Sequence, residues 1–163
     1  MKKINLDDIK LQLENGKTIE EVIAKFDWKE FESLVAEIFR SNGFFVRKNL
    51  RFKTGRRYEI DVFAVNGETA FAVDCKEWSR GRHKKSSLKS ASSAQEERAR
   101  QLGRFLRNNP IAKKGLKIGS QKILPLVVTW LQEELQWHNE SAIVPVWKLN
   151  SFLLQSENSS PTE

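Results

Sequence analysis

The stretch Tyr58-Glu59-Ile60-Asp61-Val62-Phe63-Ala64-Val65-Asn66-Gly67-Glu68-Thr69-Ala70-Phe71-Ala72-Val73-Asp74-Cys75-Lys76-Glu77-Trp78 decides the fold. Two β-rich runs flank Asn66-Gly67, the dipeptide that most readily takes the positive φ angles of a tight hairpin turn. Side chains alternate along a strand with period two, so Asp74 and Lys76 share one face and Cys75 takes the other. The partner of Asp61 depends on register. A two-residue loop sets Asp61 opposite Ala72 and diagonal to Asp74, and a four-residue loop over residues 66–69 sets it directly opposite Asp74. A three-residue loop without a bulge would separate them. In the first two registers Asp61 and Asp74 lie ~5 to 8 Å apart between Cα atoms, close enough to share one cation.

Outward from this hairpin the elements follow in order. Residues 6–13 form a short helix stopped at Asn15-Gly16, and Thr18-Ile19-Glu20-Glu21 is a capping box opening a second, with Ile19, Val22, Ile23 and Phe26 on one side. Asp27 to Glu30 caps a third in the same way; Trp28, Phe31, Leu34, Val35, Ile38 and Phe39 are its apolar stripe, ended by Asn42-Gly43. Residues 44–52 have strand character, 53–57 are expected as a loop, and 79–93 as a mobile basic loop rich in serine. Ser93-Ala94-Gln95-Glu96 is expected to cap a helix reaching Asn108-Asn109-Pro110. Residues 123–129 read as a strand buried on both faces, and 143–149 as a shorter edge strand because of Pro145. From residue 156 a disordered tail is expected. Helices, a strand, a hairpin, a helix and two strands together predict an α/β domain with a mixed sheet flanked by helices.

Charge is segregated. The chain of 163 residues has 28 Lys and Arg against 21 Asp and Glu, a net charge of +7. Residues 40–57 hold seven basic residues and no acid, 76–89 hold six against Glu77, and 98–122 hold eight against none, so three segments carry +20 and the rest −13. Such segregation suits a nucleic-acid surface, because each neutralised phosphate releases condensed counterions. One cysteine excludes an intrachain disulfide framework, which favours a cytoplasmic setting. No window approaches the ~20 apolar residues of a bilayer span.

Chemistry converges on five positions. Paired carboxylates hold a hard cation, and a cationic side chain beside a reacting phosphate completes a metal-dependent phosphodiesterase site. Asp61, Asp74 and Lys76 supply these. The tripeptide pattern Asp-x-Lys alone carries little, since Asp8-Ile9-Lys10 and Asp27-Trp28-Lys29 repeat it on helical segments. Glu32 lies at the edge of the apolar stripe of its helix, while Glu30 and Glu37 project to the opposite side. Gln95 is in line with Ala99, Leu102 and Leu106 on the inward face of its helix. There it either meets a phosphate or a metal-bound water or simply covers the first helical turn. His83 and His138 stand without a Cys/His cluster, which argues against zinc.

Helix Glu32, strand Arg47, Asp61, then Asp74-Cys75-Lys76, then a helix with inward Gln95 resembles the PD-(D/E)xK nuclease superfamily, in its Mrr-like restriction endonuclease and archaeal Holliday-junction-resolvase branches. The run Trp28-Lys29-Glu30-Phe31-Glu32-Ser33-Leu34-Val35, followed by Asn42-Gly43-Phe44 and Val46-Arg47, is similar to the opening of those domains. Ile60 stands where the motif's name puts proline, Asp74 where Glu is frequent, and Glu59 is an alternative ligand.

The resemblance implies a restriction endonuclease-like fold with an αβββαβ core over residues 27–155, preceded by an N-terminal helical extension over 1–26 and followed by a tail over 156–163. It implies a Mg²⁺-dependent DNA endonuclease of restriction, repair or junction-processing type, with Mn²⁺ as a substitute cation. The alternative is a non-catalytic DNA-binding module on the same fold. Asp61, Asp74, the carbonyl of Cys75 and Glu32, directly or through water, are the implied metal ligands, and Lys76 orients the attacking water or stabilises the phosphorane. Arg47, Lys48, Arg56, Arg57, Arg80, Arg82, Lys84 and Lys85 are implied to hold DNA phosphates. The implied partners are DNA and either a second copy of the chain or a larger repair or restriction assembly, with no membrane.

Overall fold

The Asn66-Gly67 hairpin forms in the four-residue register in the computed structural model, which describes residues 5–18, 21–22, 25–76, 84–130 and 136–158. Asn66 N–H donates to the Thr69 carbonyl at 2.9 Å, and Val65 pairs with Ala70. The Asn66 side chain closes the turn by accepting from the N–H groups of Glu68 and Thr69. The hairpin joins β2 (Arg56–Val65) to β3 (Ala70–Lys76).

Six strands make one mixed sheet in the order β1-β2-β3-β4-β6-β5. β1 (Phe45–Thr54) pairs antiparallel with β2, whereas β4 (Ile123–Thr129) lies parallel to β3 and β6 (Ser141–Pro145) parallel to β4. The two-residue β5 (Trp137–His138) takes the far edge. α1 (Leu6–Glu14) and α2 (Trp28–Ser41) precede the sheet, α3 (Lys84–Arg107) and α4 (Pro110–Gly115) lie between β3 and β4, and α5 (Val146–Asn158) closes the described chain. This is an α/β, restriction endonuclease-like architecture, with α2, β1 to β3, α3 and β4 in the expected αβββαβ order.

Each face of the sheet is covered by a different helix. α2 opens with a complete capping box between Asp27 and Glu30 and buries Phe31, Leu34, Val35, Ile38 and Phe39 against Val62, Ala64, Phe71, Val73 and Cys75. Ile9 of α1, Val22, and Leu149 and Leu153 of α5 enter the same core, where Phe31 stacks on Trp130 with ring centroids 4.7 Å apart. α3 covers the other face, packing Ala99, Leu102 and Leu106 on Phe63, Val65, Ala70 and Ala72.

Several expectations are corrected. Residues 53–57 are not a loop: β1 and β2 remain paired to Thr54 and Arg56, and the chain reverses on Gly55, whose φ of +70° needs no side chain. An added Cβ there meets nothing within 4 Å, so Gly55→Ala is expected to cost only the left-handed backbone strain, ~1 to 2 kcal/mol in chemical denaturation. Residues 84–93 are helical rather than a basic loop, and Ser93 lies inside α3 instead of capping it. The buried positions Leu88, Ala91, Ser92, Gln95, Ala99, Leu102 and Leu106 keep helical spacing, but small and polar residues in the upper half hide the stripe. Gln95 is therefore about three turns into its helix. The expected loop residues 79–83 lie outside the described residues, as do Ile19 and Ile23 of the expected second helix. There Thr18 and Glu21 exchange the two capping-box hydrogen bonds.

The expected edge strand over 143–149 is also revised. β6 ends at Pro145, which has no N–H to continue the ladder, and lies inside the sheet beside β4. Val146, Leu149 and Leu153 are buried at spacings of three and four, so the chain continues as α5. That helix runs through Ser156 to Asn158, where a tail was expected.

Candidate active site at the fork between β2 and β3

β2 and β3 pair only as far as Val62 and Val73. One step further in the same register stand Asp61 and Asp74. Instead of continuing the ladder, Asp61 Oδ2 accepts a hydrogen bond from the N–H of Cys75 at 2.9 Å. The strands thus part where the acidic residues are.

A kink in β1 and β2 sits at the same level. Leu50, Phe52, Tyr58 and Ile60 pack in the α3-side core, although alternation from Val46, Val62 and Ala64 on the α2 side predicts the opposite face. The switch falls between Lys48–Val62 and Leu50–Ile60, where Asn49 has a φ of +52° across from Asp61. Asparagine tolerates this left-handed conformation better than other side chains with a Cβ.

Asp61 and Asp74 are in side-chain hydrogen-bond contact. Asp74 is 6% exposed, and its Oδ2 lies 3.2 Å from Lys76 Nζ in ion-pair contact. Burial pushes the Asp74 carboxyl up to about 6, Lys76 opposes the shift, and the neighbouring Asp61 adds to it. Glu32, on α2, is also buried, and its carboxyl is raised by burial first and then by the charge of Asp61. The Trp28 side chain hydrogen-bonds to Glu32 and Lys48 faces it, both favouring its ionised form. Lys48 is itself held by Ser33 at 3.0 Å. α2 lies on the sheet face opposite α3, so Glu32 approaches Asp61 from across the fork. Cys75 points into the α2-side core, wholly buried, and burial pushes its thiol well up; its side chain is packing, not chemistry.

Gln95 is 1% exposed on α3. Its Oε1 accepts from Arg98 Nη1 at 3.1 Å, while its Nε2 is buried with no hydrogen-bond partner among the described residues. The charge of half-buried Arg98 acts on Asp74, which brings into the site a residue that sequence spacing did not single out. The available signal was its place one turn after an inward glutamine. Glu59, the alternative ligand, is instead exposed and paired with Arg51 at 3.2 Å.

The cation fit rests on donors of one kind. Among the described residues no three His, Cys, Asp or Glu side chains stand close enough to hold an ion by themselves. The two contacting carboxylates and the Cys75 carbonyl are nevertheless hard oxygen donors. They suit Mg²⁺, which keeps several of its waters and needs few protein ligands. Two carboxyls in contact, one with a raised pKa, are what a cation between them would relieve.

The basic residues implied to hold DNA are spread over β1, the β1–β2 turn and α3. Arg47 and Lys48 are exposed on β1, and Arg56 and Arg57 are exposed beside Gly55 at the hairpin tip. Lys85 is exposed on α3, Lys84 is the first residue of that helix, and Arg80 and Arg82 lie outside the described residues. Among the described residues no helix is long and apolar enough to cross a membrane.

A family model described as restriction endonuclease matches residues 23–128. An uncharacterized protein of Archaeoglobus fulgidus is 29% identical over 127 residues, which are 77% of this chain and 88% of that protein. Among solved structures, a protein of unknown function, AF1548, aligns over 80% of this chain and 66% of its own, at 16% identity and a TM-score of 0.43. VC1899 from Vibrio cholerae aligns over 79% of this chain and 32% of its own, at 16% identity and a TM-score of 0.36. The chain therefore spans less than two thirds of either solved protein.

Proposed function

Because the chain belongs to the Mrr-type restriction endonuclease family, we propose that it is a Mg²⁺-dependent DNA endonuclease whose centre is the fork of Asp61, Asp74 and Lys76. The observation that carries this is the buried Asp74 carboxyl beside half-buried Asp61, with the Lys76 Nζ 3.2 Å from Asp74 Oδ2, at the point where two strands separate. Asp61, Asp74 and the Cys75 carbonyl hold the cation, and Glu32 acts through a water from the opposite sheet face. A bound Mg²⁺ acidifies water and neutralises charge on the scissile phosphate. Lys76 orients the attacking water or stabilises the negative phosphorane, which a lysine can do in either protonation state. Mn²⁺, with similar oxygen preference, substitutes.

Arg47, Lys48, Arg56 and Arg57 position the duplex through its phosphates and carry little sequence information. The double substitution Arg56→Ala/Arg57→Ala is expected to weaken binding of unrelated duplexes equally. It should flatten the slope of log K against log salt by about 2, since each phosphate contact contributes about 0.9. A fluorescence-anisotropy salt titration measures this, and an unchanged slope would remove the hairpin tip from the DNA surface.

The proposal is tested by incubating the protein with duplex, single-stranded, flapped and four-way DNA in Mg²⁺, Mn²⁺ or EDTA. Internal scission that requires the divalent ion is expected. Salt-sensitive binding with no scission of any substrate would instead support a non-catalytic DNA-binding module.

A further inference from the structure

Arg98 and Gln95 are placed together by the way α3 lies on β3. Ala99 and Leu102 pack with Ala70 and Ala72 on the same sheet face. Gln95 is one turn nearer the start of α3 than Ala99, and Asp74 is two residues further along β3 than Ala72. A helical turn advances ~5.4 Å and two strand residues ~6.6 Å, so the two series stay in step and Gln95 comes over Asp74.

That juxtaposition has an unsatisfied half. Gln95 uses its Oε1 to hold Arg98 Nη1 at 3.1 Å, but its Nε2 is buried without a partner among the described residues. A buried amide donor left unpaired carries an uncompensated desolvation cost, so a position that retains one is suited to an acceptor that arrives with a ligand. Arg98 is half-buried and carries a planar set of five N–H donors, of which the Gln95 contact engages one. A guanidinium matches two oxygens of a phosphate better than an ammonium does. Its charge faces Asp74, and Lys76 faces Asp74 from the strand. Two cations therefore flank the carboxylate pair, one from the sheet and one from the helix.

We infer that Arg98 binds the non-bridging oxygens of the scissile phosphate, with Gln95 as the positioning residue that orients its guanidinium and offers Nε2 to the same phosphate. This rests on the proposed endonuclease reading and assigns it a second cation. Lys76 works at the attacking side, and Arg98 holds the phosphate as negative charge grows on its equatorial oxygens.

The test has two arms. In Mg²⁺, single-turnover cleavage by Arg98→Ala is expected to fall ~10²- to 10³-fold in kcat, as for loss of one positioned donor. KM should change less than threefold, because other basic residues hold the duplex. Added guanidinium ion should restore part of the rate, and Arg98→Lys should restore less than the full rate. Gln95→Leu should lower kcat with Arg98 present. In the second arm, the thermal shift of the protein by inorganic phosphate in Ca²⁺ is measured. The wild type is expected to be stabilised and Arg98→Ala not. Arg98→Gln serves as a second neutral replacement if the alanine variant does not fold. Cleavage by Arg98→Ala within threefold of wild type, or equal phosphate stabilisation of both, overturns the inference. Absence of any cleavage by the wild type overturns the endonuclease reading instead, and the phosphate arm still decides the role of Arg98.

Discussion

Lys76→Ala is expected to lower single-turnover DNA cleavage by roughly 10³-fold while duplex affinity stays within about twofold. Lys76 Nζ is 3.2 Å from Asp74 Oδ2, and its side chain is 26% exposed, so it can reach a phosphate without leaving the carboxylates. On the proposed reading the exposed basic residues of β1 and the hairpin tip hold the duplex, which is why binding is expected to survive. A second signature separates this from a folding defect. The charge of Lys76 opposes the upward shift of the Asp74 carboxyl. Without it Asp74 keeps its proton to higher pH, so the residual activity should rise with pH later than in the wild type. Full activity in Lys76→Ala would remove the lysine from the reaction.

Asp74→Asn should do two opposite things: abolish cleavage and stabilise the metal-free fold. The Asp74 carboxyl is raised from 3.8 to about 6, chiefly by burial. Below about pH 4 it is protonated in both folded and unfolded chains and contributes no penalty. Between 4 and 6 the unfolded chain loses this proton while the folded chain keeps it, so stability falls as pH rises. Above 6 the folded chain carries the full cost, on the order of 3 kcal/mol at one pKa unit per 1.36 kcal/mol. A neutral amide of the same shape escapes it. In EDTA at pH 8 the variant should melt roughly 5 to 10 °C above the wild type, and at pH 4 the gap should close. A variant no more stable than wild type at pH 8 would mean that Asp74 carries no such penalty.

Much of this was legible in the sequence because the hairpin is governed by local rules. The turn falls at Asn66-Gly67 as expected, although neither residue takes a positive φ and the Asn66 side chain closes it; period two sets the faces, and the two registers that keep Asp61 near Asp74 include the one that forms. The capping box of Asp27 and Glu30 and the stripe from Phe31 to Phe39 likewise declare α2 without tertiary help. What escaped depends on contacts that leave no apolar pattern. The first half of α3 buries Leu88, Ala91, Ser92 and Gln95. Small and polar residues look like loop, and only a sheet close beneath them makes the helix pay its way. α5 escapes the sequence pattern because Pro145 reads as an edge signal, whereas it ends a strand and precedes a helix.

Within the site, strict alternation put Asp61, Asp74 and Lys76 on one face. The strands reach the fork differently. A left-handed Asn49 opposite Asp61 switches the packing face of β1 and β2, and no sequence periodicity announces a single φ of +52°. Arg98 was invisible for a related reason: its bond to Gln95 is local, but its approach to Asp74 depends on how α3 crosses β3.

On the proposed reading Asp61 and Asp74 hold one divalent cation between them, and Mn²⁺ binding followed by electron paramagnetic resonance tests this without requiring a DNA substrate. Titration of the wild type, Asp61→Asn and Asp74→Asn at pH 8 is expected to show a bound Mn²⁺ in the wild type that both substitutions remove. Mn²⁺ binding equal in all three proteins would mean that the Asp61–Asp74 pair does not hold the ion.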